Sequence, residues 1–191
     1  MAGDQQLPER LTPPADRRGF TIWLTGLPAS GKTSLARELQ RLLAQRGVHA
    51  VLLDSDELRG ALTPQPRYTA AERDWFYGVI GYLAAWLARS GVNVLIAATA
   101  QRRAYRDQAR AQIARFAEVE VCCPLAICQQ RDPKGIYAQA QAGQAQHVPG
   151  VGDPYEPPLH PEATIDTGSM SPTAAARSVL AQMWALIEGD T

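Results

Sequence analysis

Two hydrophobic periods alternate along this chain. Phe20 to Thr25 (FTIWLT) is an apolar, β-prone run, as expected of a strand buried on both faces of a parallel sheet. After it Leu35, Leu39, Leu42 and Leu43 recur at i, i+4, i+7 and i+8. That stripe predicts an amphipathic helix to about residue 46, stopped by Gly47. Ala50–Leu53 reads as a second buried strand, and a short helix follows near Glu57 to Leu62. Thr69-x-x-Glu72 is a capping box. The helix it opens is expected to run to Arg89, with Val79, Leu83, Trp86 and Leu87 toward the core, and to stop at Ser90-Gly91. Val92–Ile96 and Val119–Cys123 read as the third and fourth strands, separated by a helix over Gln101–Arg115. Pro124 to Gln130 is a short helix and Ala163–Asp166 a last short strand. Ser171-Pro172 then caps a terminal helix with Val179, Leu180, Met183, Trp184 and Ile187 on one face. Strands alternating with helices predict a three-layer α/β fold with a parallel sheet.

Two stretches fall outside this rhythm. Residues 1–18 carry three prolines and no apolar period, and are expected to form a flexible arm ahead of a single domain over 19–191. About 131–160 is rich in alanine, glutamine, proline and glycine, which suggests a functional lid rather than core.

The candidate chemistry is concentrated between the first strand and the first helix. Gly26-Leu27-Pro28-Ala29-Ser30-Gly31-Lys32-Thr33 fits G-x-x-x-x-G-K-[ST], and strand, glycine loop and helix are the context that this phosphate-binding P-loop requires. Gly26 and Gly31 let the backbone turn its N–H groups around a polyphosphate, and the helix N-terminus adds partial positive charge. Lys32 can reach the β- and γ-phosphates, and the Thr33 hydroxyl can sit on Mg²⁺, with Ser34 next in line along the nucleotide. The fold is therefore expected to be of the P-loop NTPase type, with ATP as ligand. Asp54 and Asp56 end the second strand, where acidic residues of an open parallel sheet point into the ligand crevice. The alternative is that they cap the helix that follows.

Composition narrows the partners. Lys+Arg and Asp+Glu both number 19, so the chain lacks the basic excess of a general nucleic-acid or membrane-surface binder. Among the arginines of 101–115 (Arg102, Arg103, Arg106, Arg110 and Arg115), most are expected on a solvated face. Cys122, Cys123 and Cys128 lack zinc-site spacing and read as free thiols in a reducing cytoplasm. Neither a leader-like apolar segment nor a span of about 18 apolar residues is present, so neither secretion nor membrane insertion is indicated.

Over about residues 18–188 the chain resembles the adenylylsulfate (APS) kinases. The resemblance rests on GLPASGKT, LDSDELRGAL at the second strand, Arg73, PLAICQQRDPKGIY at Pro124–Tyr137, AQAGQ at Ala140–Gln144 and PYEPP at Pro154–Pro158, in that order. It implies ATP- and Mg²⁺-dependent phosphorylation of the ribose 3′-hydroxyl of adenylyl sulfate. On that resemblance Lys32 and Asp56 are catalytic, Asp56 orienting or deprotonating the hydroxyl, while Thr33 and Asp54 serve the metal. Arg59 and Arg73 hold the acceptor's phosphosulfate, Tyr68 stacks on its adenine, and Arg131 covers the ATP with Lys134 beside it. A homodimer and a link to an ATP sulfurylase are further partners left open.

The departures from the family cluster in the acceptor half. Phe76 replaces an acceptor-binding asparagine, and Gly78 and Val79 replace two arginines. Ala100 stands at the family's serine, Ala138, Gln139 and Gln141 remove three lid charges, and Val148 replaces a second stacking aromatic. Unless Phe76, Arg102 or Arg103 compensates, these changes predict a weaker hold on adenylyl sulfate than is usual in the family. A kinase for another hydroxylated metabolite and a non-catalytic nucleotide-binding subunit are the alternative readings.

Overall fold

The computed structural model describes residues 18–145 and 147–189. Five parallel strands form one sheet in the order β2-β3-β1-β4-β5: β1 Thr21–Thr25, β2 Ala50–Asp54, β3 Asn93–Ala97, β4 Phe116–Cys122 and β5 Ala163–Asp166. β1 is central and buried throughout, which is why its sequence is apolar rather than alternating. Its side chains divide between two cores. Ile22 and Leu24 pack with α1 (Lys32–Ala44) and α7 (Pro172–Gln182), through Leu35, Leu39, Val179 and Leu180. Trp23 packs on the other face with Val94 and Ile96, against α3 (Ala70–Arg89) and α4 (Arg103–Arg110). The three-layer parallel α/β expectation holds. Because all strands run the same way, their C-terminal ends share one edge, and the segments that follow them meet there.

Half of the capping box forms: the Thr69 hydroxyl accepts from the Glu72 N–H at 3.2 Å, while the Glu72 carboxylate accepts from Arg59 and from the Arg67 N–H instead of reaching back to the Thr69 N–H. The helix's buried face is only partly the expected one. Leu83 and Leu87 pack against the margin of the core, but Phe76, Tyr77, Ile80, Gly81, Ala84, Ala85 and Ala88 form the buried side, and Trp86 is 55% exposed. Beyond its first turn the helix is apolar nearly all round, so large apolar residues alone do not mark its inner side. The inner side combines Phe76, Tyr77 and Ile80 with small residues that let α3 approach β3 and α4 closely. Trp75, Tyr82 and Trp86 are left as an exposed aromatic stripe.

Two boundaries also move. The helix expected over 101–115 ends at Arg110, and β4 starts at Phe116 rather than Val119, because Phe116 and Ala117 pair with Thr21 and Ile22. The terminal helix breaks at Met183 into α7 and α8 (Trp184–Glu188). Of the arm expected over 1–18, only Arg18 lies within the described residues, and its carbonyl accepts from Arg115 Nη1 at 2.8 Å. Among the described residues no helix is long and apolar enough to cross a membrane.

Candidate active site

The loop between β1 and α1 takes the shape its glycines permit. Gly26 has φ +154°, and a Cβ there would lie 2.4 Å from the Val121 carbonyl oxygen. Gly31, at φ +94°, is the N-cap of α1. Two neighbours brace the loop from outside, and one turn closes within it. The Thr167 hydroxyl donates to the Ser30 carbonyl at 2.6 Å, the Tyr137 hydroxyl donates to the Pro28 carbonyl at 3.0 Å, and Ser30 N–H closes a turn onto the Leu27 carbonyl at 3.2 Å. Tyr137 follows α5 (Leu125–Arg131) in the turn opening α6 (Ile136–Gln141), which Asp132 caps by accepting from the N–H groups of Ile136, Tyr137 and Ala138. Sequence reasoning gave no role to Tyr137 or Asp132, although both lie inside the RDPKG-x-Y block. Thr167 carried no signal.

Lys32 is buried, and its ammonium donates to the Gly26 and Leu27 carbonyls at 3.0 and 2.7 Å. Burial lowers its pKa from 10.5 to about 8, against the opposing pull of Asp56 and Asp54. The Thr33 hydroxyl donates to Asp54 Oδ2 at 2.6 Å. Asp54 Oδ1 meanwhile caps α2 (Ser55–Leu62), accepting from Asp56 N–H at 2.8 Å and Glu57 N–H at 3.4 Å. The two readings of this residue, crevice and cap, are thus both realised, one by each oxygen. Asp56 points outward and pairs with Lys134 at 2.5 Å.

The remaining sequence-predicted residues lie along the same cleft, about 1310 Å³ in volume, which runs from Pro28, Lys32 and Thr33 past Asp54 and Asp56 to Arg59, Tyr68 and Arg73. Arg131 and Lys134 line it as well. Gly26, Leu27 and Ser30 stand behind the lining rather than in it. Arg59 pairs with Glu72 at 2.9 Å, and its guanidinium lies over the Phe76 and Tyr68 rings. Tyr68 holds a left-handed backbone, φ +55°, unusual for a side chain of its bulk. Arg73 pairs with Asp153 at 2.9 Å and donates to the His147 carbonyl. Arg131 donates to the Thr167 carbonyl at 2.7 Å, beside the P-loop.

Arg106 departs from the solvated face expected of it. It is fully buried, and donates to the Glu118 carboxylate, the Ala100 carbonyl and the Glu156 carbonyl. Glu156 also accepts from Arg103 N–H at 2.8 Å, and Tyr155 shares a hydrogen bond with the Thr25 hydroxyl at 3.2 Å. The PYEPP segment is therefore fastened to the end of β1 and to the loop after β3. Periodicity could not reveal this, because the groups that receive the guanidinium are up to 50 residues away.

No three His, Cys, Asp or Glu side chains converge as a metal site among the described residues. Thr33 and Asp54 offer adjacent oxygens beside the P-loop, which suits Mg²⁺, an ion that takes most of its ligands from phosphates and water.

Known proteins resemble this chain over most of its length. The family model for adenylylsulphate kinase matches residues 18–166. An adenylyl-sulfate kinase of Synechococcus sp. (strain JA-3-3Ab) is 43% identical over 155 residues, covering 81% of this chain and 88% of that protein. A probable bifunctional SAT/APS kinase 2 of Sorangium cellulosum (strain So ce56) is 39% identical over 86% of this chain but only 28% of its own length. Among solved structures, the Mycobacterium tuberculosis APS kinase CysC in complex with AMPPNP and APS superposes with a TM-score of 0.82 at 35% identity, over 87% of this chain and 98% of that one. With its P-loop, strand-end aspartates and RDPKG-x-Y block assembled around one cleft, the chain belongs to the adenylylsulfate kinase family.

Proposed function

We infer that this chain transfers the γ-phosphoryl group of ATP to the 3′-hydroxyl of adenylyl sulfate, giving 3′-phosphoadenylyl sulfate and ADP. The observation that carries this reading is the single cleft joining the P-loop to the wall of Arg59, Tyr68 and Arg73. One cleft of this kind lets a donor on the P-loop and an acceptor on that wall meet beside Asp56, and phosphoryl transfer depends chiefly on such positioning and on charge stabilisation.

The proposed roles follow from position. The P-loop N–H groups and Lys32 hold the β- and γ-phosphates, and Arg131 covers the nucleotide where it leaves the loop. Asp56 accepts a hydrogen bond from the acceptor hydroxyl and takes its proton as the phosphoryl group arrives. Lys134, which reaches Asp56 in the structure, lies where it offsets charge on either substrate. Arg73 faces the acceptor's anionic end and Tyr68 its adenine. Thr33 and Asp54 would hold Mg²⁺, which when bound neutralises charge shared between the β- and γ-phosphates. The segment over 131–160 acts as the lid, and 19–191 as the kinase domain. Cys122, Cys123 and Cys128 are all free, in keeping with a cytoplasmic enzyme. The two-activity relative supports a working link to a sulfate adenylyltransferase.

The test is ADP release from purified protein with ATP·Mg²⁺ and adenylyl sulfate, with the product's phosphate position read by ³¹P NMR. A panel of other nucleotide and sugar hydroxyls serves as the comparison. Adenylyl sulfate is expected to give the highest kcat/KM. A different acceptor exceeding it by tenfold would overturn the assignment.

A further inference from the structure

The acceptor half lacks an asparagine, a second stacking aromatic and three lid charges relative to the resembled family, and three residues were candidates to make good the loss. Two of them are engaged elsewhere. Arg102 pairs with Asp74 at 3.3 Å, Arg103 holds Glu156 and the Pro157 carbonyl, and neither lines the cleft.

Phe76 is placed differently. It is fully buried in the middle of α3, and the Arg59 guanidinium carbon sits 3.8 Å from its ring centroid. The same guanidinium lies over the Tyr68 ring at 4.8 Å. Its charge is matched by Glu72 at 2.9 Å, whose other oxygen accepts from Arg67 N–H at 2.7 Å, next to Tyr68 in the chain. Arg59 is thus ion-paired to α3 and set over a buried ring, and it also lies over Tyr68, the more exposed of the two tyrosines lining the cleft. Tyr68 is 43% exposed and sits in a loop at a left-handed φ, so without a neighbour its ring would have to be ordered each time a ligand bound.

We propose that Phe76 is a positioning residue for the acceptor. Through Arg59 it holds the Tyr68 ring open toward the cleft as a pre-ordered stacking surface for adenine. This deepens the proposed function and rests on it. A lost polar contact is exchanged for pre-organisation: the adenine meets a ring already fixed, so less ordering entropy opposes stacking.

Steady-state KM values for adenylyl sulfate and ATP in Phe76→Leu, Tyr68→Leu and the double variant test this, with the dissociation constant of adenylyl sulfate measured by calorimetry in the presence of ADP. Each single variant is expected to weaken adenylyl sulfate about tenfold, and Phe76→Leu to change kcat and the KM for ATP by less than about twofold. The double variant should be no weaker than about twofold beyond either single one, because Phe76 acts only through the Tyr68 ring. If Phe76→Leu fails to fold, Phe76→Met, which fills more of the space of the ring, carries the same test. An unchanged constant for adenylyl sulfate, or losses that multiply in the double variant, would overturn the proposal. A wild-type protein that binds adenylyl sulfate but does not phosphorylate it, while its affinity still falls in Phe76→Leu, would overturn the functional reading and leave this one standing. Failure of the wild type to bind adenylyl sulfate would overturn both.

Discussion

Lys134 Nζ lies 2.5 Å from Asp56 Oδ2, so the segment that follows α5 reaches across the cleft to the first turn of α2. Both side chains are more than half exposed, and an ion pair in such surroundings adds little to stability. It can therefore open for a substrate at small cost. The carboxylate it releases faces the point where the acceptor hydroxyl is proposed to lie.

Asp56→Asn keeps the size of that side chain and removes its basicity. Turnover is expected to fall by about 10²–10⁴, the usual contribution of a positioned base, while calorimetry finds ATP·Mg²⁺ affinity within about threefold of wild type. Normal turnover at saturation together with lost nucleotide binding would instead make Asp56 a metal ligand.

Lys32 gives the reaction a pH limit. Its ammonium predominates below its pKa of about 8, and a neutral amine above it gives up its attraction for the polyphosphate. The kcat/KM for ATP, which reports the free enzyme, should therefore decline as pH rises through about 8. The kcat should hold to higher pH, because bound phosphates favour the charged form. Lys32→Ala should lower turnover by about 10²–10³ and abolish the alkaline limb of kcat/KM, measured over pH 6–10 in a coupled ADP assay.

Arg106 is tested by stability. Arg106→Met leaves the buried Glu118 carboxylate and two carbonyls without their donor, at an expected cost of about 3–5 kcal/mol in urea denaturation. Arg106→Met with Glu118→Gln should lose clearly less than the two single losses added, since no buried charge remains unpaired. Strict additivity would show that the pair is not coupled.

Two glycine substitutions should differ in sign. Gly26→Ala forces a side chain into a left-handed φ and against the Val121 carbonyl oxygen at 2.4 Å, so ATP binding should be lost and the melting temperature should fall. Gly78 lies within α3, and a Cβ there would meet nothing within 4 Å. Gly78→Ala should stabilise by about 0.4–1 kcal/mol, seen by differential scanning calorimetry as a rise of a few degrees.

The donor half of the site was legible in the sequence because its chemistry is local. Lys32 and Thr33 belong to one contiguous motif, and Asp54 ends β2, a parallel strand whose C-terminal end meets the same edge of the sheet as the P-loop. The acceptor wall was legible only as residue identities. That Arg59 lies over Phe76 depends on where the fold sets α2 relative to α3, and no periodicity encodes that placement. The face of α3 was misread for a related reason: in a helix apolar on every side, the partner decides which side is buried.

By itself the sequence determined the parallel α/β architecture, the phosphate loop and the strand-end aspartates, because each depends on hydrogen bonds and hydrophobic spacing within a few residues. Only the tertiary structure decided that Arg106 is buried, that Thr167 and Tyr137 brace the P-loop, and that Arg59 lies over both Phe76 and Tyr68. Those contacts join residues brought together by sheet order and helix packing. Their energies come from burial and from partners distant in the chain, which local pattern does not record.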